Sequence, residues 1–455
     1  MELSHGSRVA VVGGGPAGSF VALFIKKFSR LLRIDLQVDI YEPKDFSQAG
    51  AKGCNHCGGI LSESLIQFMA TEGIDLPADI VMNAIDSYCF HTDTGHVHLQ
   101  TPLEEMRIAA VFRGGGPKST APALQEQKKP VVRSFDKTIL DLACAYGAQH
   151  IKERVTKLSW QAGLPAVTTA TGQFATYELL VGAVGVNGTG IKLFESLGIG
   201  YRPPRESKTF VTDYYLGETV VGEYVGNTMH VFILDIPGIK QGAIIPKGPY
   251  VTICYVAEQV SNELTERFFA HPEVKACFPA DWRRPSGRES CLCIPMTNIA
   301  DPVNYYTDRV VMIGDCGVAR LFKNGIGSAY VTAKACATTV VLQGIAKTDF
   351  DRYFKPTCNR ISFDNRLGHF ILGLLGWARR WHFFRYAILT TAAAEQSMPA
   401  SQRIMSMALW DSFSGSAPYT HVLLRTIRSP GFLIRFMWAF TKGVFGARHA
   451  APRKP

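Results

Sequence analysis

Two stretches of this 455-residue chain have residue types and spacings that could do chemistry. The first is Cys54-Asn55-His56-Cys57, set in a loop that also holds Gly50, Gly53, Gly58 and Gly59. Two thiols flanking an imidazole suit half of a zinc site, a redox pair, or a glycine-lined wall where the backbone approaches another group closely. No second CxxC or His pair stands at zinc-like spacing, and Cys291-Leu292-Cys293 is too tightly spaced. No metal is therefore expected. The redox and pocket-wall readings stay open, the thiols serving packing or substrate contact in the second. Cys54, His56 and Cys57 are the candidates for groups beside the reacting atoms.

The second stretch is Gly13-Gly14-Gly15-Pro16-Ala17-Gly18. A strand-like run, Arg8 to Val12, leads in, and a helix-like run from Pro16 through Phe28 leads out. Gly13 permits a tight turn, Gly15 has no Cβ to block a pyrophosphate, and Gly18 lets helix and strand pack closely. A further strand, Leu36 to Tyr41, ends on Glu42, placed to bond a ribose hydroxyl. A carboxylate there suits FAD or NAD better than NADP.

Two later segments fit the same kind of site. Arg133 precedes a predicted helix whose Phe135, Ile139, Leu142 and Ala143 share one face, so its guanidinium could reach a phosphate. Arg309 to Asp315 reads as a buried strand ending on Gly314-Asp315. A loop with Gly325, Ile326 and Gly327 follows, then a helix from Ala329 to Leu342. Asp315 can accept from a ribitol or ribose hydroxyl, and the helix N-terminus can stabilise negative charge.

These motifs need a scaffold, and the patterning predicts one. The chain is 47% hydrophobic and 19% charged, as a folded protein with a large core should be. Residues 80–112 and 153–183 alternate like strands. Five β-rich runs over 208–256, including Gly222 to Val225, predict a second sheet, and Glu263 to Phe269 a short helix. His91, His96 and His98 fall among the first strands and are expected to be exposed, since no carboxylate or Cys stands out as a further ligand. The eleven scattered cysteines suit a reducing compartment. No signal peptide and no membrane-spanning helix is expected.

The formal charge of +10 is concentrated late: no acidic residue follows Asp411, while Arg425, Arg428, Arg435, Lys442, Arg448, Arg453 and Lys454 do. On a helix, Phe432, Phe436 and Phe440 would share a face, with Arg428, Arg435 and Lys442 on another. A basic, aromatic tail suits an anionic membrane surface, or a helix packed on the protein with its basic face in water. No nucleic-acid motif is present, and no nucleic-acid partner is expected.

Together the motifs resemble the flavoprotein superfamily of para-hydroxybenzoate hydroxylase, and within it the geranylgeranyl reductases, over about residues 7–345. The glycine loop with Glu42 resembles the FAD adenosine site. Arg133-Ser134-Phe135-Asp136 with Leu140, spaced Arg-x-Phe-Asp-x-x-x-Leu, resembles the Arg-x-x-Phe-Asp-x-x-Leu helix entry whose Arg approaches FAD. Gly314-Asp315 with Gly325 to Gly327 resembles the flavin-side motif. Lys52 to Ser62 resembles the reductases' Pro-Cys-Gly-Gly-Gly-Leu-Ser loop, and Gly242 to Gly248 the stretch Tyr-x-Trp-x-Phe-Pro-Lys without its aromatics, Ala243 and Ile244 standing in that region. Gly182-Ala183-Val184-Gly185 departs from the usual Gly-Ala-Asp-Gly, and the acid it lacks bears on NAD(P)H handling. The halogenase signature Trp-x-Trp-x-Ile-Pro is absent.

The resemblance implies an α/β fold. A Rossmann-type FAD domain comes in three pieces (1–80, 131–207, 301–348), with substrate-side strands at 81–130, a β-rich substrate domain at 208–300 and a C-terminal helical region at 349–455. It implies an FAD-dependent oxidoreductase acting on a carbon–carbon double bond of a prenyl or other lipid substrate. NAD(P)H or ferredoxin would supply the electrons. The alternatives are an FAD-dependent monooxygenase of apolar or aromatic substrates and a non-catalytic, membrane-associated flavin-binding protein. The expected location is cytoplasmic, with a peripheral place on the inner face of the membrane as the alternative if the basic C-terminus binds there.

Overall fold

In the computed structural model, residues 1–54, 58–101, 107–117, 132–284 and 291–446 are described. His56, Cys57, Arg448, Arg453 and Lys454 lie outside them. The first sheet has six strands, in the order Tyr306–Thr307, Val310–Met312, Leu179–Gly182, Arg8–Val12, Gln37–Tyr41 and Gln149–Ile151. All pairs are parallel except the first. Their near-continuous Val, Ile and Leu content suits a sheet buried on both faces. On one face the helices Pro16–Leu31, Phe135–Ala145 and Gly325–Leu342 share a core with Val9, Val11, Val38 and Ile40. On the other, Ala10, Val12 and Leu180 pack under the antiparallel strands Val155–Gln161 and Leu164–Thr169 and the helix Gly190–Glu195.

The chain order across this sheet reverses at Arg8–Val12. Register aligns Val12 with Tyr41 and with Gly182, and Gly182 with Met312. The loops after all four strands therefore open on one edge, at the crevice where α/β sheets bind ligands.

The second sheet joins segments that sequence order keeps apart. Its path runs Cys291–Cys293, Glu206–Tyr215, Tyr250–Ala257, Ile239–Lys247, Thr228–Phe232, Ser87–Thr92 and Gly95–Gln100, with Met296–Asn298 also paired to Glu206–Tyr215. The early strands and the 208–256 strands thus form one structure. Gly222 to Val225 is not a strand: Glu218–Tyr224 is a helix, because Val221 and Val225, four apart, both enter the core of the second sheet. The expected loop at Gly325 to Ser328 is already helical. Asn324 adopts the left-handed conformation at φ 49°, and its side chain accepts from Gly327 N–H at 2.9 Å, which starts the helix early. His96 and His98 are exposed as expected, but His91 is buried, because the strand Thr228–Phe232 and the helix Pro272–Lys275 close over it.

The helices Lys355–Ala378, His382–Glu395, Ile404–Ser414, Tyr419–Ile427 and Pro430–Gly446 complete the described chain. Trp410, fully buried, stacks on Tyr88 with ring centroids 4.5 Å apart and donates to Glu63 at 3.0 Å. Gly325–Leu342 is the one described helix long and apolar enough to cross a membrane. It packs instead against Pro16–Leu31, with Tyr330 edge-on to Phe20 and Phe24.

Lys323 ties the late helices to the loop after Gly314-Asp315. Its ammonium donates to Ala417 O at 2.9 Å and Asp411 O at 3.2 Å and lies 3.6 Å from the Tyr419 ring centre. Burial pushes its pKa down from 10.5 to about 8. Between those values the unfolded chain binds the proton more tightly, so this group makes stability rise with pH across that window. Below it both states are protonated, and the cost of burying the charge is constant. The urea midpoint of the wild type should rise relative to Lys323→Met between about pH 8 and about pH 10, and hold a constant offset from about pH 6 to about pH 8.

Candidate functional site

The site begins where strand Arg8–Val12 turns into helix Pro16–Leu31. Gly13 sits at φ +105°, and a Cβ on it would lie 2.4 Å from Ala183 O. A Cβ on Gly18 would lie 1.8 Å from Gly13 O, so only glycine lets the helix return so close to the strand. Gly15 is the N-cap, Pro16 opens the first turn, and no side chain caps this helix. Its first N–H groups are thus available to an anion.

Glu42 is buried beside this turn. One carboxylate oxygen accepts from Gly14 N–H and the other from Lys44 N–H, both at 2.9 Å. Burial nevertheless raises its pKa above the ordinary carboxylate value, against those two hydrogen bonds. Gly314, at φ +63°, reaches the loop from far along the chain: a Cβ on it would lie 2.7 Å from Ala17 Cβ. Asp315 follows on the same turn, its pKa raised by burial and opposed by the charge of Arg113. Gly13, Gly18, Glu42, Ala17, Gly314 and Asp315 therefore surround one crevice edge. At the start of Gly325–Leu342 the Asn324 cap takes Gly327 N–H, and among the described residues the N–H groups of Gly325 and Ile326 have no protein acceptor.

Two arginines differ from what their sequence positions suggest. Arg133 spends its guanidinium on Asp79, in an ion pair of 3.3 Å whose side chains are about half exposed. Arg113 is the better shielded one, its side chain 13% exposed. It meets Asp136 through two parallel hydrogen bonds of 2.9 Å and projects positive charge toward Asp315. The sequence signal for it was Asp136, in the first turn of the helix after Arg133: a wholly buried carboxylate needs a cation.

The Cys54 loop owes its glycines to a second loop. A Cβ on Gly114 would lie 2.7 Å from Gly53 O, and one on Gly115 2.2 Å from Ser47 O. The two backbones therefore lie against each other. Cys54 is half-buried and its carbonyl accepts from the Lys44 ammonium at 3.2 Å. Past the loop, Gly59 at φ +67° lies against Val111 O and the ammonium of Lys247. Lys247, 2% exposed, stands 4.5 Å from the Phe112 ring centre. Its charge opposes the burial that raises the Asp213 pKa, and the Thr252 hydroxyl donates to Asp213. A buried lysine and a partly buried carboxylate thus stand behind the glycine loop. Lys247 is legible in sequence as part of Pro246-Lys247, whereas Asp213 is not.

No family model and no curated protein matches the sequence. Solved structures do share its fold. A geranylgeranyl bacteriochlorophyll reductase-like protein from Thermoplasma acidophilum superposes with a TM-score of 0.61 at 13% identity, over 96% of this chain and 100% of that one. A flavoprotein/dehydrogenase from Cytophaga hutchinsonii gives 0.61 at 14% identity, over 97% and 100%. The halogenase PltM, in complex with phloroglucinol and FAD, gives 0.58 at 12% identity, over 98% and 93%. The chain has the Rossmann-type fold of FAD flavoproteins, with the β-rich and C-terminal helical regions aligned as well as the parallel sheet.

The pairs around the crevice have unequal consequences. Arg113→Met removes the bidentate partner of the buried Asp136 and should destabilise by about 3–5 kcal/mol. Arg133→Met, at an exposed pair, should fall within the scatter of surface substitutions. Urea unfolding of both variants checks the order.

Proposed function

We propose that the chain binds FAD in the crevice at Gly13–Gly18 and acts as an FAD-dependent oxidoreductase that reduces a carbon–carbon double bond of a prenyl or other lipid chain. The carrying observation is the close approach of Gly314 to Ala17, which joins two glycine turns, the buried Glu42 and the partly buried Asp315 at one sheet edge. The crevice fits the group: an uncapped helix start and turns too tight for any Cβ suit a pyrophosphate, and Glu42 and Asp315 suit hydroxyls.

FAD, when bound, supplies hydride transfer. The protein's part is to bind and orient. Gly15, Pro16, Ala17 and Gly18 hold the pyrophosphate at the helix start. Glu42 accepts from the adenosine ribose, and Asp315 from the ribityl side. The N–H groups of Gly325 and Ile326 offset negative charge at the other end. Arg133 would have to leave Asp79 to reach a phosphate. Lys247 stands with its Nζ behind Gly59 and is the chain's candidate proton donor to the second carbon, its charge acting on Asp213 nearby. Cys54, His56 and Cys57 remain candidates for substrate contact. The electron donor is NAD(P)H or ferredoxin, and Val184, where the superfamily has an acid, weighs toward ferredoxin.

A lipid substrate requires a surface to meet it. The expected aromatic face, Phe432, Phe436 and Phe440, turns inward: Phe432 is buried, and Phe440 packs edge-on against Phe383 and Phe384. The outward face of Pro430–Gly446 is apolar too, with Ile434 71%, Met437 55% and Trp438 58% exposed. Trp377 and Trp381, also about half exposed, stand 6.0 Å apart, and Lys442 lies 3.6 Å from the Trp438 ring centre. Exposed Trp beside Lys and Arg is what an interfacial helix uses at an anionic membrane.

The test is anaerobic. Purified holoprotein should be yellow, bleach with NADH, NADPH or reduced ferredoxin, and recover its colour under nitrogen when a prenyl lipid is added. Recovery that needs oxygen and yields a hydroxylated product would support the monooxygenase reading instead. Protein that cannot be loaded with FAD would overturn both. Lys247→Met should keep its FAD and slow lipid-dependent reoxidation about 10²-fold. A Met437→Ser/Trp438→Ser variant should lose sedimentation with anionic vesicles and keep its fold.

A further inference from the structure

Five side chains meet on one face of the second sheet, near its free edge. His91 and His96 are direct partners across the hairpin Ser87–Thr92 and Gly95–Gln100, so their rings project on the same side. His230 comes from the adjoining strand Thr228–Phe232. Glu273 and Cys277 come from the helix Pro272–Lys275 and the turn after it. His91 Nδ1 lies 2.7 Å and His96 Nδ1 3.1 Å from the same atom, Glu273 Oε2. On its other side His91 Nε2 lies 2.9 Å from His230 Nδ1, and His230 Nε2 lies 3.3 Å from Val225 O. Cys277 Sγ stands 3.4 Å from His230 Nδ1.

The last acceptor in this chain decides the others. A carbonyl oxygen only accepts, so His230 carries its proton on Nε2 and a neutral ring there offers a lone pair at Nδ1. His91 then donates from Nε2, and a neutral His91 turns a bare lone pair at Nδ1 toward the Glu273 carboxylate. Two electron-rich atoms 2.7 Å apart need positive charge between them. A proton shared between His91 and the Glu273 carboxylate would close that one pair, on a side chain 4% exposed, and leave His96 Nδ1, 3.1 Å from the same oxygen, outside it. A metal ion answers all three donor atoms at once.

We propose that His91, His96 and Glu273 bind a divalent transition ion of the zinc type, through both Nδ1 atoms and the Glu273 carboxylate. Two imidazoles and one carboxylate are a zinc donor set, with a fourth position for water. The His96 side chain, 57% exposed, leaves that position and the entry path open to solvent. In a tetrahedral zinc site the ligand atoms stand about 3.3 Å apart, so Glu273 draws back from His91 by roughly half an ångström. His230 is the outer partner that sets the His91 tautomer, as metal-bound histidines generally have. The ion clips the Pro272–Lys275 helix to the edge hairpin of the sheet. The site is independent of the flavin reading, and its test reads metal rather than turnover.

Full-length protein stripped of metal is titrated with Co²⁺ and then Zn²⁺. One equivalent of Co²⁺ per chain should bind with the visible absorption of a four-coordinate ion, be displaced by Zn²⁺, and raise the melting temperature. His96→Ala, at an exposed ring, and Glu273→Gln should each weaken binding at least tenfold with unchanged circular dichroism. His230→Ala should weaken it about 10–100-fold. His98→Ala, on the same strand, should leave it unaltered. Absence of stoichiometric Co²⁺ binding by the wild type overturns the proposal. So does binding that survives the His96→Ala/Glu273→Gln pair, which would place the metal at other ligands such as the Cys54 loop.

Discussion

One close approach of a helix to its own strand governs the rest. Helix Pro16–Leu31 lies so near its own strand that the missing Cβ of Gly18 would sit 1.8 Å from the Gly13 carbonyl oxygen. That approach brings the helix start over the sheet edge and lets Gly314 lie against Ala17. Three neighbouring constraints act in the same place: Gly13 against Ala183, Gly14 against Glu42, Gly314 against Ala17. Each removes a side chain so that backbone N–H groups and carboxylates can face a common space. Local positive φ at Gly13 and Gly314 costs glycine nothing and would strain any other residue.

Around that edge, carboxylates are buried and held by the backbone rather than by surface charge. Glu42 is held by Gly14 and Lys44 there, and Asp364, among the late helices, is held in the same way by the N–H groups of Tyr419 and Thr420. Asp136 is held instead by a bidentate arginine. These groups cross-link parts of the chain that hydrophobic packing alone would leave free to slide. The C-terminal helices belong to this framework: Trp410 reaches Glu63 and Tyr88, and Lys323 and Asn324 reach the turns near Gly415. A region rich in exposed aromatics on one side is thereby anchored firmly on the other.

The second sheet carries a different economy of contacts. Its face toward the glycine loop holds Lys247 out of water beside a partly buried Asp213, and another part of it gathers histidines against Glu273. Both clusters arise where a strand from one part of the sequence is inserted beside another, Ser87–Thr92 next to Thr228–Phe232 above all. Parallel pairing of those two strands requires everything between them to fold elsewhere, which the parallel sheet and its crossovers supply.

Sequence alone determined the features written in local order. Gly13 to Gly18 between a strand and a helix, Glu42 at the next strand end, and Gly314-Asp315 after a third apolar run are short patterns whose backbone requirements are intrinsic to glycine and to parallel strands. The fold class followed from them, and solved flavoproteins share it at 12–14% identity. What tertiary structure alone decided are pairings set by topology. Arg113 and not Arg133 meets the buried Asp136, because the loop Arg113–Gly116 packs on the Cys54 loop while Arg133 stays at the surface. Phe432, Phe436 and Phe440 turn inward, because the face a helix buries depends on its neighbour and not on its own periodicity. His91 is buried beside Glu273, which lies 182 residues away, and no spacing rule reaches that far.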